Sequence, residues 1–428
     1  MFSFYRIVVL ALAISVLSAC GSPQSGEPVF KKAEGYTCKG SVIKNEYLVR
    51  LKNGDLKVIH AKSEDEFLSG YFEKHKDQIQ TAEPHYSIHT SDFLIPTSAN
   101  TLKKKVKEDL RFNNWGSIQI HADKYWSQNV YGQGIIVAVI DTGVDLDHFQ
   151  LASQILENEG ETGLDENGKD KRFNNIDDDK NGYVDDWKGF DFYFDRGLTG
   201  DNGAEGHGTH VAGIIAAKHS EAVATENSKV LGIAPGVKIL PASFLGPEGG
   251  GSIEDGIRAI RYGVERGAKI INASWGSNGC SLSLRDEVRS LADKNVIFVS
   301  AAGNSSSNLD TWPEYPASFE GLTQLTVGSI DQSLNMSTFS NYSARFVNIF
   351  APGSEISSTL PKSAVAEGEA PYGTYSGTSM ATPFVSGAAA LLWAANPEAS
   401  AFDIKAQLLS KVAKSQSYEN QTQGRLEL

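Results

Sequence analysis

The chain has 428 residues, with 39 basic and 52 acidic side chains and a formal net charge of −13. That acidic balance excludes a nucleic-acid partner held by phosphate neutralisation, and 40% hydrophobic against 21% charged residues is too apolar for a disordered chain. One apolar run at the N-terminus with no second one excludes a polytopic membrane protein, and three cysteines are too few for a small disulfide-stapled scaffold.

Residues 7–17 (IVVLALAISVL) are too short to span a membrane, which takes about 20 residues, but suit the core of an export signal. The run ends Leu17-Ser18-Ala19-Cys20-Gly21, which resembles a bacterial lipobox. The resemblance implies cleavage before Cys20 and a lipid on its thiol. An ordinary secretory signal with an incidental cysteine is the other reading, and both export the protein. Cys38 and Cys280 then remain, to pair or to stay free. Residues 1–19 are thus expected as a signal peptide and 20–41 as a lipidated tether rich in Ser, Pro, Gly and Lys.

A small α+β unit is expected over 42–95. YLVRL at 47–51 and LKVIH at 56–60 flank Lys52-Asn53-Gly54-Asp55, a hairpin signal. Ser63 followed by Glu66 reads as a capping box opening a helix over 63–75. HYSIH at 85–89 reads as another strand, and 96–108 as an exposed polar linker.

Beyond residue 109 the pattern changes. Apolar β-rich runs at 135–140, 238–245, 268–275, 296–302, 322–330 and 347–351 alternate with helix patterns at 207–217, 252–265, 282–293, 379–395 and 402–412. Continuous Val/Ile runs interleaved with helices predict an α/β fold: a doubly wound, mostly parallel sheet with helices on both faces. Reactive groups in such folds gather at the carboxyl ends of the strands.

Three segments there supply a carboxylate, an imidazole and a hydroxyl. Ile140-Asp141-Thr142-Gly143 closes the first run, His207-Gly208-Thr209-His210 opens a helix, and Gly377-Thr378-Ser379-Met380-Ala381 opens another. A serine hydroxyl is a poor nucleophile without a base, and the base needs a carboxylate to fix its tautomer and stabilise its charged form. In this order, over about 113–428, the segments resemble the subtilisin family of serine peptidases. The resemblance implies that Asp141 orients, His207 is general base then acid, Ser379 attacks the scissile carbonyl, and His210 is structural. It also makes Asn304, in Ala301-Ala302-Gly303-Asn304, an oxyanion donor. Ser274-Trp275-Gly276 and Gly249-Gly250-Gly251 match the two edges that add an extended peptide as a strand. The first pocket would be walled by 274–276 and by Ala302 and Gly303. Glu314 stands at its floor by resemblance, where a carboxylate favours Lys or Arg before the cut bond. A solvent-facing Glu314 is the other reading.

The insert at 174–187 (NNIDDDKNGYVDDW) carries Asp177, Asp179 and Asn181 at alternate positions and then Gly182, like the first half of an EF-hand loop. The Tyr183 carbonyl, Asp185 and Asp186 complete the expected Ca²⁺ ligands, although Lys188 stands where a bidentate acid belongs. Similar inserts occur in calcium-binding subtilases. A different calcium site of the family is expected to be missing, because Gln150 stands where its aspartate would be.

The resemblance further implies that 42–95 is an inhibitory prosegment, removed by a cut in 96–108 to leave a catalytic domain over 109–428. The expected partners are protein or peptide substrates, the chain's own prosegment, and a membrane through the lipid on the precursor. Processing is expected to turn a tethered envelope zymogen into a released protease. A sedolisin-type acid peptidase would need a glutamate base and an aspartate oxyanion donor, against His207 and Asn304. The remaining alternative is a non-catalytic, calcium-stabilised envelope lipoprotein on a peptidase scaffold, yet no triad member is missing.

Overall fold

The computed structural model describes residues 40–90, 114–198, 200–203, 205–219 and 230–428, with the backbone strand Val29–Phe30. The expected signal peptide, the lipidation at Cys20 and the linker 96–108 lie outside the described residues. Among those described, no helix is long and apolar enough to cross a membrane.

The N-terminal unit contains strands β1 (Val42–Leu51), β2 (Leu56–His60) and β3 (Ile79–Thr90). β1 pairs antiparallel with both others, and the Lys52–Asp55 turn uses Gly54 at φ +94°. Ser63 accepts a hydrogen bond from the Glu66 amide while the Glu66 carboxylate accepts one from the Lys62 amide, starting the helical stretch as the sequence predicts. That stretch is irregular: α-helix Glu64–Phe67, a π-turn Leu68–Phe72, then Glu73–His75. Phe67, Phe72, Val49, Ile79 and Ala82 form this unit's own core.

The larger unit is built on a central sheet. Its parallel strands are β4 (Ile136–Asp141), β5 (Lys238–Ser243), β7 (Ile270–Ala273), β9 (Ile297–Ala301), β10 (Gln324–Ile330) and β11 (Ile349–Pro352), in spatial order β11-β10-β9-β7-β4-β5. Short strands extend both edges. Two further short strands, β6 (Gly250–Ser252) and β8 (Trp275–Gly276), lie off this sheet and pair with β3 instead.

Side chains alternate across a strand, and β4 shows the result. Val137 and Val139 join one core with helices α1 (His207–Ala216), α4 (Thr378–Ala395) and α5 (Ala401–Ser410). Ala138 and Ile140 face the other core, under α2 (Ile253–Glu265) and α3 (Leu282–Ser290). Both faces of the sheet are therefore covered. From β4 the chain goes to β5 on one side and returns through β7, β9 and β10 on the other, so the order reverses beside Asp141. This is the crevice at which open α/β sheets collect their ligands.

Cys280 is disulfide-bonded, and the only other cysteines are Cys20 and Cys38, outside the described residues. The Gly40 and Gly279 backbones touch so closely that a Cβ on Gly40 would lie 2.2 Å from the Gly279 Cα.

Candidate active site

Asp141 is the last residue of β4 and is fully buried. One carboxylate oxygen accepts hydrogen bonds from the Thr142 amide at 2.8 Å and from His207 Nδ1 at 2.7 Å. The imidazole at the start of α1 is thereby held as the Nδ1–H tautomer, with Nε2 as the basic atom. Burial opposes a charge on His207, but the Asp141 charge and hydrogen bond outweigh it, with Asp201 and Glu205 adding, and the ring's pKa is raised. The second histidine behaves in the opposite way. His210 is buried, donates from Nε2 toward the carbonyls of Ile356 and Gly373, and stacks on Tyr375. Burial pulls its pKa down to about 3, so it is a neutral structural ring.

Ser379 lies in the first turn of α4, which packs against α1. Its hydroxyl donates to the Ser274 carbonyl at 3.1 Å, and the Ser274 hydroxyl donates to the Ser379 carbonyl at 2.9 Å. Next to Ser274, the Trp275 indole N–H donates to the Ile140 carbonyl at 2.8 Å. A continuous set of contacts thus joins Ser379 to Ser274, Trp275, Ile140, Asp141 and His207.

Asn304 follows β9. Its side-chain oxygen accepts from the Thr378 amide at 2.8 Å and the Thr378 hydroxyl at 3.0 Å. The amide is therefore oriented with its NH₂ end away from Thr378. Gly303 before it adopts φ +99°, and a Cβ there would lie 2.1 Å from a Glu314 carboxylate oxygen, so only glycine fits. Glu314 accepts hydrogen bonds from Asn341 at 2.9 Å and Ser305 at 3.2 Å. It helps to line a cleft of about 260 Å³ with Gly276, Ser277, Asn278, Asn304 and Ser305. Of the two readings of Glu314, this geometry favours the one inside the cleft. Ala302 lies in the same wall, its carbonyl accepting from Asn341.

The two expected peptide-binding edges flank a strand of the chain itself. β3 pairs antiparallel with β6 through Ile88↔Gly251 and His89↔Gly250, and the Thr90 amide donates to the Gly249 carbonyl at 2.8 Å. On its other side β3 pairs antiparallel with β8 through His89↔Gly276 and Thr90↔Trp275.

One residue that sequence reasoning missed connects the acid and base segments. Asp201 is half-buried and accepts from the hydroxyls of Thr142 at 2.7 Å and Thr209 at 2.6 Å and from the Thr209 and Gly203 amides. Burial pushes its carboxyl up to about 6. The Thr142 hydroxyl in turn accepts from the Gly208 amide, locking the Asp141 turn onto α1.

The acidic insert is arranged differently from expectation. Asp177 and Asp179 converge with Glu161, one oxygen of each lying within 4.8 Å of the others. Glu161 sits in a separate turn, Glu159–Glu161, is fully buried, and has one oxygen with no hydrogen-bond partner. It brings a carboxylate beside the loop from outside it, while the amine of Lys188, at the loop's twelfth position, faces Glu157 at 3.5 Å. Asn181 stays beside the cluster, its amide N–H bonding Asp177 and Asp179. Asp185 and Asp186, expected as further ligands, stand outside that trio: the Asp185 carboxylate accepts from the Asn175 amide, and Asp186 is buried accepting from Asn158, Asn181 and Tyr262. Tyr183 turns its ring into the aromatic cluster of Phe190, Phe192 and Tyr262. Elsewhere Gln150 is buried and donates its amide to the carbonyls of Lys218 and Val230.

The profile of the Subtilase family matches residues 132–425. The chain belongs to that family. It is a subtilisin-like serine protease, an endopeptidase acting on peptide substrates. It is 34% identical over 276 residues to the Major intracellular serine protease of Bacillus subtilis, covering 64% of this chain and 72% of that one. It is also 34% identical over 294 residues to Thermitase of Thermoactinomyces vulgaris, covering 69% and 86%. Among solved structures, fervidolysin from Fervidobacterium pennivorans matches 91% of this subtilase, with a TM-score of 0.67, 24% identity and 60% of its own chain covered. A likeness that broad reaches beyond the matched family segment into the N-terminal unit, and at this identity it speaks for the fold alone.

Proposed function

We propose that this subtilase is an exported, self-processing serine endopeptidase whose catalytic triad is Asp141, His207 and Ser379. The observation that carries the reading is the buried 2.7 Å pair of Asp141 and His207, joined through Trp275 and Ser274 to the Ser379 hydroxyl. Ser379 attacks the substrate carbonyl as His207 Nε2 takes its proton; the imidazolium, steadied by Asp141, then protonates the leaving amine. Asn304 donates to the developing oxyanion, and removing it costs about 10²–10³-fold in kcat, a figure taken from such a donor in subtilisin itself rather than deduced from this geometry. Substrate adds as a strand between 249–251 and 274–276. The prosegment 42–95 acts as inhibitor by filling that groove with β3, a reading supported by its pairing with both edges. We further propose a structural Ca²⁺ held by Asp177, Asp179, Asn181 and Glu161. The unpartnered buried oxygen of Glu161 supports that set, since such a carboxylate is costly without a cation. The export signal and the lipid on Cys20 complete the proposal, with a non-catalytic scaffold not favoured.

The test is casein hydrolysis by wild type, Ser379→Ala and Asn304→Ala. Activity abolished in the first variant and cut about 10²–10³-fold in the second supports the assignment. Undiminished activity in Ser379→Ala refutes it.

A further inference from the structure

We propose that Asn341 is a positioning residue that joins the cleft carboxylate Glu314 to the oxyanion donor Asn304, so that a basic side chain before the cut bond is recognised in kcat as well as in KM. This rests on the protease reading above and on the roles it gives Asn304 and Glu314. Asn341 lies between β10 and β11 and is fully buried. An asparagine side chain offers two N–H donors and two acceptor positions, and here all are used. Nδ2 donates to the Ala302 carbonyl at 3.0 Å and to Glu314 Oε1 at 2.9 Å. Oδ1 accepts from the Ser305 amide at 3.0 Å and the Ser307 amide at 2.9 Å. The Asn341 backbone amide donates to the Gly303 carbonyl, also at 2.9 Å. Residues on both sides of Asn304 are therefore fastened to one residue, and the same side chain holds Glu314.

The same segment is fixed at the nucleophile. The Gly303 amide donates to the Thr378 hydroxyl at 3.0 Å, and Thr378, one residue before Ser379, donates in turn to Asn304 Oδ1. Glu314, Asn341, residues 302–307 and the Ser379 turn thus form one hydrogen-bonded path beside the cleft. Gly303 leaves room for it, since a Cβ there would lie 2.4 Å from Asn341 Nδ2. The position requires an amide. Leucine, of similar size, would remove all four side-chain bonds, and aspartate would keep the two amides but set an oxygen against Glu314. A Lys or Arg side chain of the substrate brings its charge to Glu314. Through Asn341 that contact steadies the segment carrying Asn304 as the oxyanion forms, where a small misplacement of the donor is costly. Binding energy from the side chain is then realised in the transition state, which raises kcat.

The experiment compares matched peptides with Lys or Met before the cut bond, with active enzyme counted by titration of Ser379. Glu314→Gln should lower the Lys-over-Met advantage about tenfold, with the larger part of the loss in kcat. A loss confined to KM overturns the proposal. Asn341→Ser, too short to span the four partners, should lower kcat on the Met peptide about tenfold and reduce the Lys advantage as well. In an Asn304→Ala background the same substitution should cost less than about twofold more in Met-peptide kcat. Losses that multiply independently would also overturn the proposal, because a merely structural Asn341 acts regardless of Asn304. If Asn341→Ser yields no titratable enzyme, the division between kcat and KM in Glu314→Gln decides alone. A wild type that cuts the Met peptide with no advantage for Lys overturns the proposal and leaves the protease reading standing; one that cuts neither peptide overturns both.

Discussion

The carboxylate of Glu83 accepts a 2.6 Å hydrogen bond from the hydroxyl of Ser281, the N-cap residue of α3. The Leu282 and Ser283 amides donate to the same carboxylate at 2.7 and 3.1 Å, so a residue of the N-terminal unit satisfies the open end of a helix of the larger unit. Arg50 adds a second connection, reaching the Ser283 carbonyl and the buried Glu287. Glu83→Ala leaves three donors without an acceptor and should cost about 1.5–3 kcal/mol of docking. In the uncut Ser379→Ala chain, this should appear as roughly 10- to 100-fold faster hydrogen exchange in β3 and the first turn of α3. Unchanged protection would show that the cap does not hold the N-terminal unit.

A second prediction concerns pH. In the proposed triad His207 must be neutral to accept the Ser379 proton, and its pKa lies above the ordinary 6.5 because the Asp141 charge and hydrogen bond overcome burial. Activity should therefore be full above the raised value and fall as pH drops through it. Asp141→Asn removes the charge that favours imidazolium, so the acid limb should move to lower pH while kcat drops about 10⁴-fold. The check is kcat/KM measured from about pH 5 to about pH 9, a range spanning histidine titration. An acid limb that stays in place would disconnect Asp141 from the charge on His207.

Calcium is expected to act on stability rather than chemistry. Chelation should lower Tm by about 4 °C, the effect of losing a ligand present at about 100 times its Kd from a domain of this size. Glu161→Gln should remove most of the calcium-dependent part of Tm, because it replaces the buried acid beside Asp177 and Asp179. Equal Tm with calcium and with chelator would dismiss the site.

Glu314 makes a prediction about substrates. A carboxylate lining the cleft beside Gly276 and Asn304 should favour Lys or Arg immediately before the cut bond, since a charged partner there retains a charge-assisted hydrogen bond. In a peptide library, Glu314→Gln should lower that preference about tenfold and leave neutral residues little changed. An identical profile in the variant would remove Glu314 from the specificity account.

Much of this was legible in the residues. The run at 135–140 becomes β4 at Ile136–Asp141, and the patterns at 252–265 and 379–395 become α2 and α4 within a residue or two. They were readable because apolar periodicity and capping are local properties, as with Ser252, whose hydroxyl accepts from the Asp255 amide at the start of α2. Contacts between distant segments were not readable. Nothing in the insert shows that Glu161 converges with Asp177 and Asp179, because that carboxylate arrives from another turn. Nor does a run of aspartates reveal that Asp186 is claimed by Tyr262. Asp201 reads as one more loop aspartate until Thr142 and Thr209 are seen folded onto it. The π-turn at Leu68–Phe72 is likewise unmarked in a helical pattern and serves to turn Phe72 into the core of the N-terminal unit.

The bond at Cys280 changes what a cut in the backbone accomplishes. Both cysteines able to partner it precede β3, so a break after β3 yields two polypeptides still joined through sulfur. Under the proposed inhibitory role of β3, that strand would then remain a tethered product at an effective concentration in the millimolar range, set by the connecting chain and not by dilution. Wherever a lipid holds Cys20, it would hold the catalytic half as well for as long as Cys38 is the partner of Cys280. Release of the catalytic half from the lipid then becomes a two-key event, hydrolysis of the peptide and thiol–disulfide exchange, unless the chain is cut between Cys20 and Cys38. The two keys separate on gels, because a processed sample should run as one band without reductant and as two with it.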